Sequence, residues 1–320
     1  MTLPKLSVVV PVFNGEEDLP ELMDCLKSQT YPPEQVEYII VDNNSRDRTS
    51  AILTGAAEAN NTLFPLKPQR ETQIQSSYAA RNRGIQAATG EIIAFTDADC
   101  RPEPDWLLNL IKPFEKPEVG IVAGEITAYP GPTLLEKYAQ RKDVLSQKHT
   151  LAHPFCPYGQ TANLAVRRQI FTEIGLFRPH LTTGGDADIC WRVLRQTNWQ
   201  LEFAPDAIVK HRHRRTLKQL QSQWRRYGES NRYLHQLHGV ELGRPFTAYE
   251  CFYRLSRWLL KEVPVIGGKC FQGRADLVEI FITPLDLICA IARAAGQQNS
   301  SLPPQAEQIE PLNRSSEQVG

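Results

Sequence analysis

The chain predicts an α/β fold: a mostly parallel, Rossmann-like sheet flanked by helices, followed by a helical C-terminal extension. Three observations carry this expectation. Apolar runs at 6–13, 37–42 and 92–96 have the length of buried strands. Segments with apolar residues at helical spacing separate them, the alternation that builds a parallel sheet covered on both faces. Two of the runs end on acids, Asp42 and Asp97, and in such sheets ligands gather beyond the carboxyl ends of strands.

The elements follow in order. Residues 6–13 form a buried strand and Asn14-Gly15 a turn. Leu19, Leu22, Met23 and Leu26 mark a helix over 17–29. After the strand 37–42, residues 43–45 turn or cap a helix over 49–60, and 64–66 read as a short strand. A helix over 77–88 closes near Gly90, before the strand 92–96. Trp106, Leu107, Leu110 and Ile111 are the buried face of a further helix. A strand over 119–128 and an amphipathic helix over 134–146 come next. The Pro- and Gly-containing stretch 154–163 feeds a strand at 164–166 and a short helix at 168–174. A Gly184-Gly185 hinge precedes a helix from Asp186, and 201–204 and 207–209 are strand-like. Beyond Tyr233 long helical stretches carry basic and aromatic residues. The last, 277–295, is interrupted by Pro284, and a polar tail expected to be disordered starts at 297. The expected division is 1–233 for the α/β domain, in two halves at 1–100 and 101–233, then 234–296 for the helical extension and 297–320 for the tail.

Composition narrows the function. Lys plus Arg (36) equal Asp plus Glu (36), so no overall charge points to nucleic acid. The exception is 210–232, with eight Lys or Arg against the single acid Glu229, a local match for an anionic partner. The 7 cysteines are scattered and include no Cys-x-x-Cys pair, so neither a zinc site nor a disulfide framework is indicated, and a reducing cytosol is the simplest compartment. No signal-peptide pattern precedes the first strand, and no run approaches the ~18–20 apolar residues of a membrane span.

Asp97-Ala98-Asp99, at a strand end, places two hard carboxylates where they can share one divalent cation, Mn²⁺ or Mg²⁺, and a bound diphosphate. Asp42 can accept an imide N–H of uracil or a ribose hydroxyl, or cap its own turn. Arg81 can reach a base or diphosphate, or lie on a helix surface.

In order and separation these pieces resemble the family 2 inverting glycosyltransferases of the GT-A fold, over about the first two-thirds of the chain. Pro11-Val12-Phe13-Asn14 is similar to the family's opening strand motif and 41–45 (VDNNS) to its nucleotide-binding strand end. Residues 80–84 (ARNRG) match its Ala-Arg-Asn motif, Asp97-Ala98-Asp99 its Asp-x-Asp, and 185–192 (GDADICWR) its Glu-Asp-x-Asp-Leu-x-x-Arg helix start. The chain departs in having Gly185 where the family usually has Glu.

The resemblance implies that 1–233 is the GT-A catalytic domain, with 1–100 the nucleotide-sugar-binding half and 101–233 the acceptor half, and a nucleotide-sugar donor, with UDP favoured, contacted by Pro11, Asn14, Asp42, Arg81 and Asp97. It implies a metal held by Asp97, Asp99 and His211, with His213 as the competing imidazole. Inversion in one displacement requires a base opposite the leaving group, and Asp186 fits, its bland alternative being a helix N-cap. Arg212 and Arg215 can close over the diphosphate, or form a solvated loop or contact anionic lipid. Asn163 and Trp191 are expected at the border of the acceptor pocket, although a Trp there is as often core.

The acceptor classes implied are lipid-linked, polysaccharide or protein glycan, with no nucleic acid. Basic residues interleaved with Trp224, Tyr227, Tyr233 and Trp258 make an anionic membrane surface a further candidate partner, at the inner face of the plasma membrane; the alternative is that these helices pack on the catalytic domain, with the aromatics as core and the basic residues solvated. The rival reading is a non-catalytic nucleotide-sugar-binding or scaffold protein on the same fold.

Overall fold

The computed structural model describes residues 3–59 and 64–312. The elements are β1 (Leu6–Val12), α1 (Leu19–Lys27), β2 (Val36–Asp42), α2 (Thr49–Glu58), β3 (Gln69–Arg70), α3 (Ser77–Ala87), β4 (Ile92–Thr96), β5 (Cys100–Pro102), α4 (Trp106–Ile111) and β6 (Val119–Ala128). Then follow α5 (Leu134–Arg141), α6 (Gln147–Leu151), β7 (Asn163–Arg167), α7 (Arg168–Ile174), α8 (Gly185–Gln196), β8 (Gln200–His211), α9 (Leu217–His238), α10 (Ala248–Arg257), α11 (Val263–Phe271) and α12 (Val278–Asn299).

One eight-stranded sheet has the order β3-β2-β1-β4-β7-β6-β8-β5. The half β3-β2-β1-β4 is parallel, and β4–β7, β7–β6 and β8–β5 pair antiparallel. The fold is therefore α/β as expected, with a parallel half that brings the ends of β1, β2 and β4 to one rim. Val8, Val9, Val10, Ile39, Ile40 and Val41 are fully buried. Burial on both faces explains their unbroken apolar runs, and each such side chain stabilises the sheet by roughly 1.5–3 kcal/mol.

Three expected elements differ. The strand at 64–66 is a single bridge between Tyr38 and Leu66, because Pro65 and Pro68 remove ladder donors, and regular pairing starts at Gln69. The helix expected to reach 146 ends at Arg141, since Asp143 adopts a left-handed φ of 46° and Ser146 caps a new helix. The two strand-like pieces at 201–209 are one strand that carries Pro205 within it.

The described chain divides into two compact units, 1–127 with 145–211 and 303–320, and 128–144 with 212–302. The first holds the sheet. Within it, residues expected in the tail are placed: Leu176 N–H donates to Glu310 O at 2.8 Å, and Ala306 and Leu312 are buried. The second holds α5, α9, α10, α11 and α12, around a small core of Tyr138, Leu220, Val278, Leu285 and Cys289. Gly228 and Gly296 let α9 and α12 touch backbone to backbone: a Cβ on Gly228 would sit 1.9 Å from Arg293 O.

Candidate active site

Asp42 closes β2 with a side chain almost without solvent contact. Ser45 N–H donates to its Oδ1 at 2.9 Å, forming an Asx-type turn. Its Oδ2 is buried with no hydrogen-bond partner, and Arg70 Nε stands 3.8 Å away. A buried carboxylate oxygen without a donor is costly, and a ligand N–H or O–H aimed there relieves the cost.

Asn14 has a left-handed φ of 51°, a conformation Asn tolerates well. Its N–H donates to Ser45 Oγ and its Oδ1 accepts from Arg46 N–H, both at 2.9 Å, which stitches the loop after β1 to the loop after β2. Pro11 is buried inside β1 opposite Val41, so it shapes the strand end and offers the rim no polar group.

Helix α3 packs tightly on β1 because Gly84 leaves room: a Cβ there would lie 2.4 Å from Val9 Cγ1. That approach sets Arg81, itself buried, against the end of β4. Arg81 Nη2 donates to Asp97 Oδ1 at 2.5 Å, and its guanidinium sits 5.4 Å from the Tyr78 ring centroid. Burial pulls the Arg81 pKa down, but the carboxylates of Asp97 and Asp186 outweigh it and hold the pKa above its usual value. Arg81 Nε is buried without a hydrogen-bond partner. Helix α3 also anchors the segment leading to Asp186. Asn82 donates to Phe177 O (2.8 Å) and accepts from Phe177 N–H (3.0 Å), while Ser76 Oγ donates to Leu181 O (2.8 Å).

Asp186 lies in the first turn of α8, after Gly184 at φ 81°. Thr161 Oγ1, from the stretch before β7, donates to its Oδ1 at 2.8 Å. Burial raises the Asp186 pKa, opposed by Arg81 and the Thr161 hydrogen bond and reinforced by Asp97. The net direction is upward from 3.8. Two residues on, Asp188 is fully buried and paired with Arg178 and Arg192, each at 3.0 Å, and Arg192 also donates to the carbonyls of Ile174 and Leu176 at 2.7 Å. This pairing fixes the start of α8, so Asp188 and Arg192 support Asp186. The Gly185 departure has a steric cause: a Cβ there would meet the Tyr78 ring at 2.7 Å.

β5 pairs with β8 so that Cys100 faces His211, bringing two distant parts of the chain together. His211 Nε2 stands 3.2 Å from Asp99 Oδ1. Two adjacent ligands of an octahedral cation at ~2.1 Å are about 3 Å apart, so this spacing fits a shared divalent ion. Among the described residues, the cluster that meets metal-ligand spacing is Asp99, Cys100 and His211, within 4.8 Å of one another. Burial pushes the Cys100 thiol well above its usual pKa, with Asp99 and Asp97 adding to the shift, and its Sγ lies 3.8 Å from Ala162 O. A protonated, soft sulfur is a poor ligand for a hard cation. Asp99 and His211, with Asp97 beside them in sequence, fit Mn²⁺ or Mg²⁺.

Two expected acceptor residues are corrected. Asn163 is fully buried. Its Oδ1 accepts from Trp106 Nε1 (2.8 Å), and its Nδ2 donates to Glu125 O (2.8 Å) and Ala207 O (2.7 Å), so its amide ties strands together inside the core. Trp191 is also fully buried. It donates to Cys156 O at 2.8 Å and packs on Phe155, His153 and Tyr158. Neither presents a free face to a sugar. Arg212 and Arg215 belong to the second unit, where Arg212 lies over Tyr129 and Arg215 donates to Glu136 Oε1 at 3.1 Å. Thr161, Tyr78 and Arg70 are the site residues that sequence reasoning missed.

A model of glycosyl transferase family 2 matches residues 7–178. Glycosyltransferase AglE of Haloferax volcanii is 33% identical over 266 residues, 81% of this chain and 81% of that protein. The pre-mycofactocin glycosyltransferase of Mycobacterium tuberculosis is 27% identical over 218 residues, 67% of this chain, and the match spans only 44% of that relative. The solved mannosyltransferase PcManGT from Pyrobaculum calidifontis, in complex with GDP-Man and Mn²⁺, superposes with a TM-score of 0.62 at 20% identity, covering 92% of this chain and 87% of that one. At that identity the likeness is one of fold.

Proposed function

The chain belongs to glycosyl transferase family 2, and from that premise we propose that it transfers a hexose from a UDP-sugar to a hydroxyl acceptor with inversion at the anomeric carbon. The observation that carries the proposal is the grouping of Arg81, Asp97 and Asp186 beyond the end of β4, with Asp99 and His211 3.2 Å apart and Asp42 ending the parallel strand β2.

Asp42 Oδ2 accepts the uracil imide N–H, and the Asn14–Ser45 stitch holds its loop in place. Pro11 shapes the strand end beneath. Arg81 holds Asp97 in register and adds positive charge beside the diphosphate. Asp97, Asp99 and His211 would hold a divalent cation, Mn²⁺ or Mg²⁺, which would supply positive charge to offset that of the departing nucleoside diphosphate. Asp186 Oδ2 takes the proton of the acceptor hydroxyl as that oxygen attacks. Thr161, bonded to Oδ1, keeps the other oxygen aimed at the acceptor. The Tyr78 ring occupies the space a side chain at 185 would need, and Asp188 is engaged by Arg178 and Arg192, so Asp186 is the carboxylate of this helix start left for the acceptor. The acceptor is a lipid-linked, polysaccharide or protein glycan hydroxyl, and the working place is the cytoplasmic face of an anionic membrane.

Release of nucleoside diphosphate from UDP- and GDP-sugars in Mn²⁺, followed against pH, tests this reading. Turnover with a UDP-sugar is expected. A base works only when deprotonated and the Asp186 pKa is raised, so activity should fall with acidification at a pH above the usual aspartate range. An acid limb at or below the ordinary aspartate pKa, or no turnover of any donor, would count against the assignment.

A further inference from the structure

The second unit carries an apolar face that its own fold leaves uncovered. Residues 248–271 run as one helix through α10, a single π turn at Trp258–Glu262, and α11, and none of them is buried. One side is tied to α12, where Trp258 Nε1 donates to Ile280 O (2.7 Å) and Thr283 Oγ1 donates to Glu262 Oε2 (2.6 Å). Away from that contact the helix presents Phe252, Leu259 and Leu260, and beside them Tyr249 and Tyr253 stand exposed at the edge of a cavity that Thr283 of α12 also lines. Phe252 and Leu260 are 70% and 74% exposed, and Phe271 at the end is 95% exposed. A continuous apolar stripe of this kind is uncommon on a free surface.

Charge identifies the occupant. Residues 248–274 carry Arg254, Arg257, Lys261, Lys269 and Arg274 against Glu250 and Glu262. Both acids are already engaged, Glu250 by Thr247 and Arg244 and Glu262 by Thr283 and Arg257. The flank of the stripe is thus basic, with long side chains able to reach phosphates while the rings sink below them. No helix among the described residues is long and apolar enough to cross a membrane, so this one suits a position along a surface.

We propose that the helix 248–271 lies flat in the headgroup zone of an anionic bilayer, its aromatic and leucine stripe inserted and its Arg and Lys flank on the lipid phosphates. The proposal specifies the membrane location given above and does not depend on the transfer chemistry.

The test is co-flotation of the full chain with vesicles of phosphatidylcholine alone or of equimolar phosphatidylcholine and phosphatidylserine. The chain should float with the anionic vesicles, and high salt should release most of it. Phe252→Ser with Leu260→Ser should weaken vesicle binding at least ~10-fold. Arg254→Gln with Lys261→Gln should weaken it about tenfold on anionic vesicles only. Both pairs are exposed, so folding and nucleoside-diphosphate release without vesicles should stay at the wild-type level. A wild-type chain that remains unbound, or an apolar pair that binds as well as wild type, would overturn the proposal. So would a wild-type dimer that the apolar pair dissolves, since the face would then be a protein interface. Vesicle binding without nucleoside-diphosphate release would instead sink the catalytic reading and leave this one standing.

Discussion

Asp186→Asn is expected to lose transfer while keeping the donor. The carboxylate is held by Thr161 at 2.8 Å on the first turn of α8, and the substitution keeps size and an acceptor oxygen for that bond. What disappears is the basic oxygen. General base catalysis contributes about 10²–10⁴-fold, so turnover should fall by about 10³. Calorimetry with UDP and Mn²⁺ should give affinity within a few-fold of wild type. Parallel loss of affinity and turnover would place Asp186 in donor binding. Asp188→Asn is the contrasting variant. Asp188 is buried against Arg178 and Arg192, and unpairing a buried ion pair costs about 3–5 kcal/mol, so its main effect should be a lowered melting temperature.

Asp99→Ala is expected to cost at least ~10²-fold in turnover, because charge stabilisation at the leaving diphosphate is lost. Mn²⁺ affinity, read by calorimetry without donor, should fall with it, and His211→Ala should do the same, since Asp99 Oδ1 and His211 Nε2 stand 3.2 Å apart. Cys100→Ala should leave Mn²⁺ affinity unchanged, although Cys100 lies in the same cluster. EDTA should abolish wild-type turnover. Full activity in EDTA would remove the metal from the account.

The parallel half of the fold is legible in the sequence because β1, β2 and β4 are buried on both faces and therefore read as unbroken apolar runs. Asp42, Asp97 and Asp99 stand out for the same reason: each breaks or follows such a run. The partner of Asp99 is harder to see from local sequence. It is set by pairing β5 with β8, a contact between segments far apart in the chain, and a three-residue strand such as β5 leaves no periodic signal. Thr161 is invisible for a related cause, since the stretch before β7 has no period and only the folded loop aims the hydroxyl at Asp186. Asn163 and Trp191 mislead in the opposite direction. Residue type marks them as sugar contacts, yet both satisfy their polar atoms inside the core. Gly185 is plain in the sequence as a departure, but its reason, the Tyr78 ring, is a tertiary fact.

The one-step displacement driven by Asp186 is tested most directly by the configuration of the sugar that the wild-type enzyme releases. With an α-linked UDP-hexose and water as the acceptor in place of a glycan, proton NMR recorded before mutarotation reads the anomer first formed. The β anomer is predicted, because the proposed reaction has the acceptor attack from the side opposite the nucleotide with Asp186 as its base. The α anomer as first product would contradict the account, since retention requires a different course of reaction.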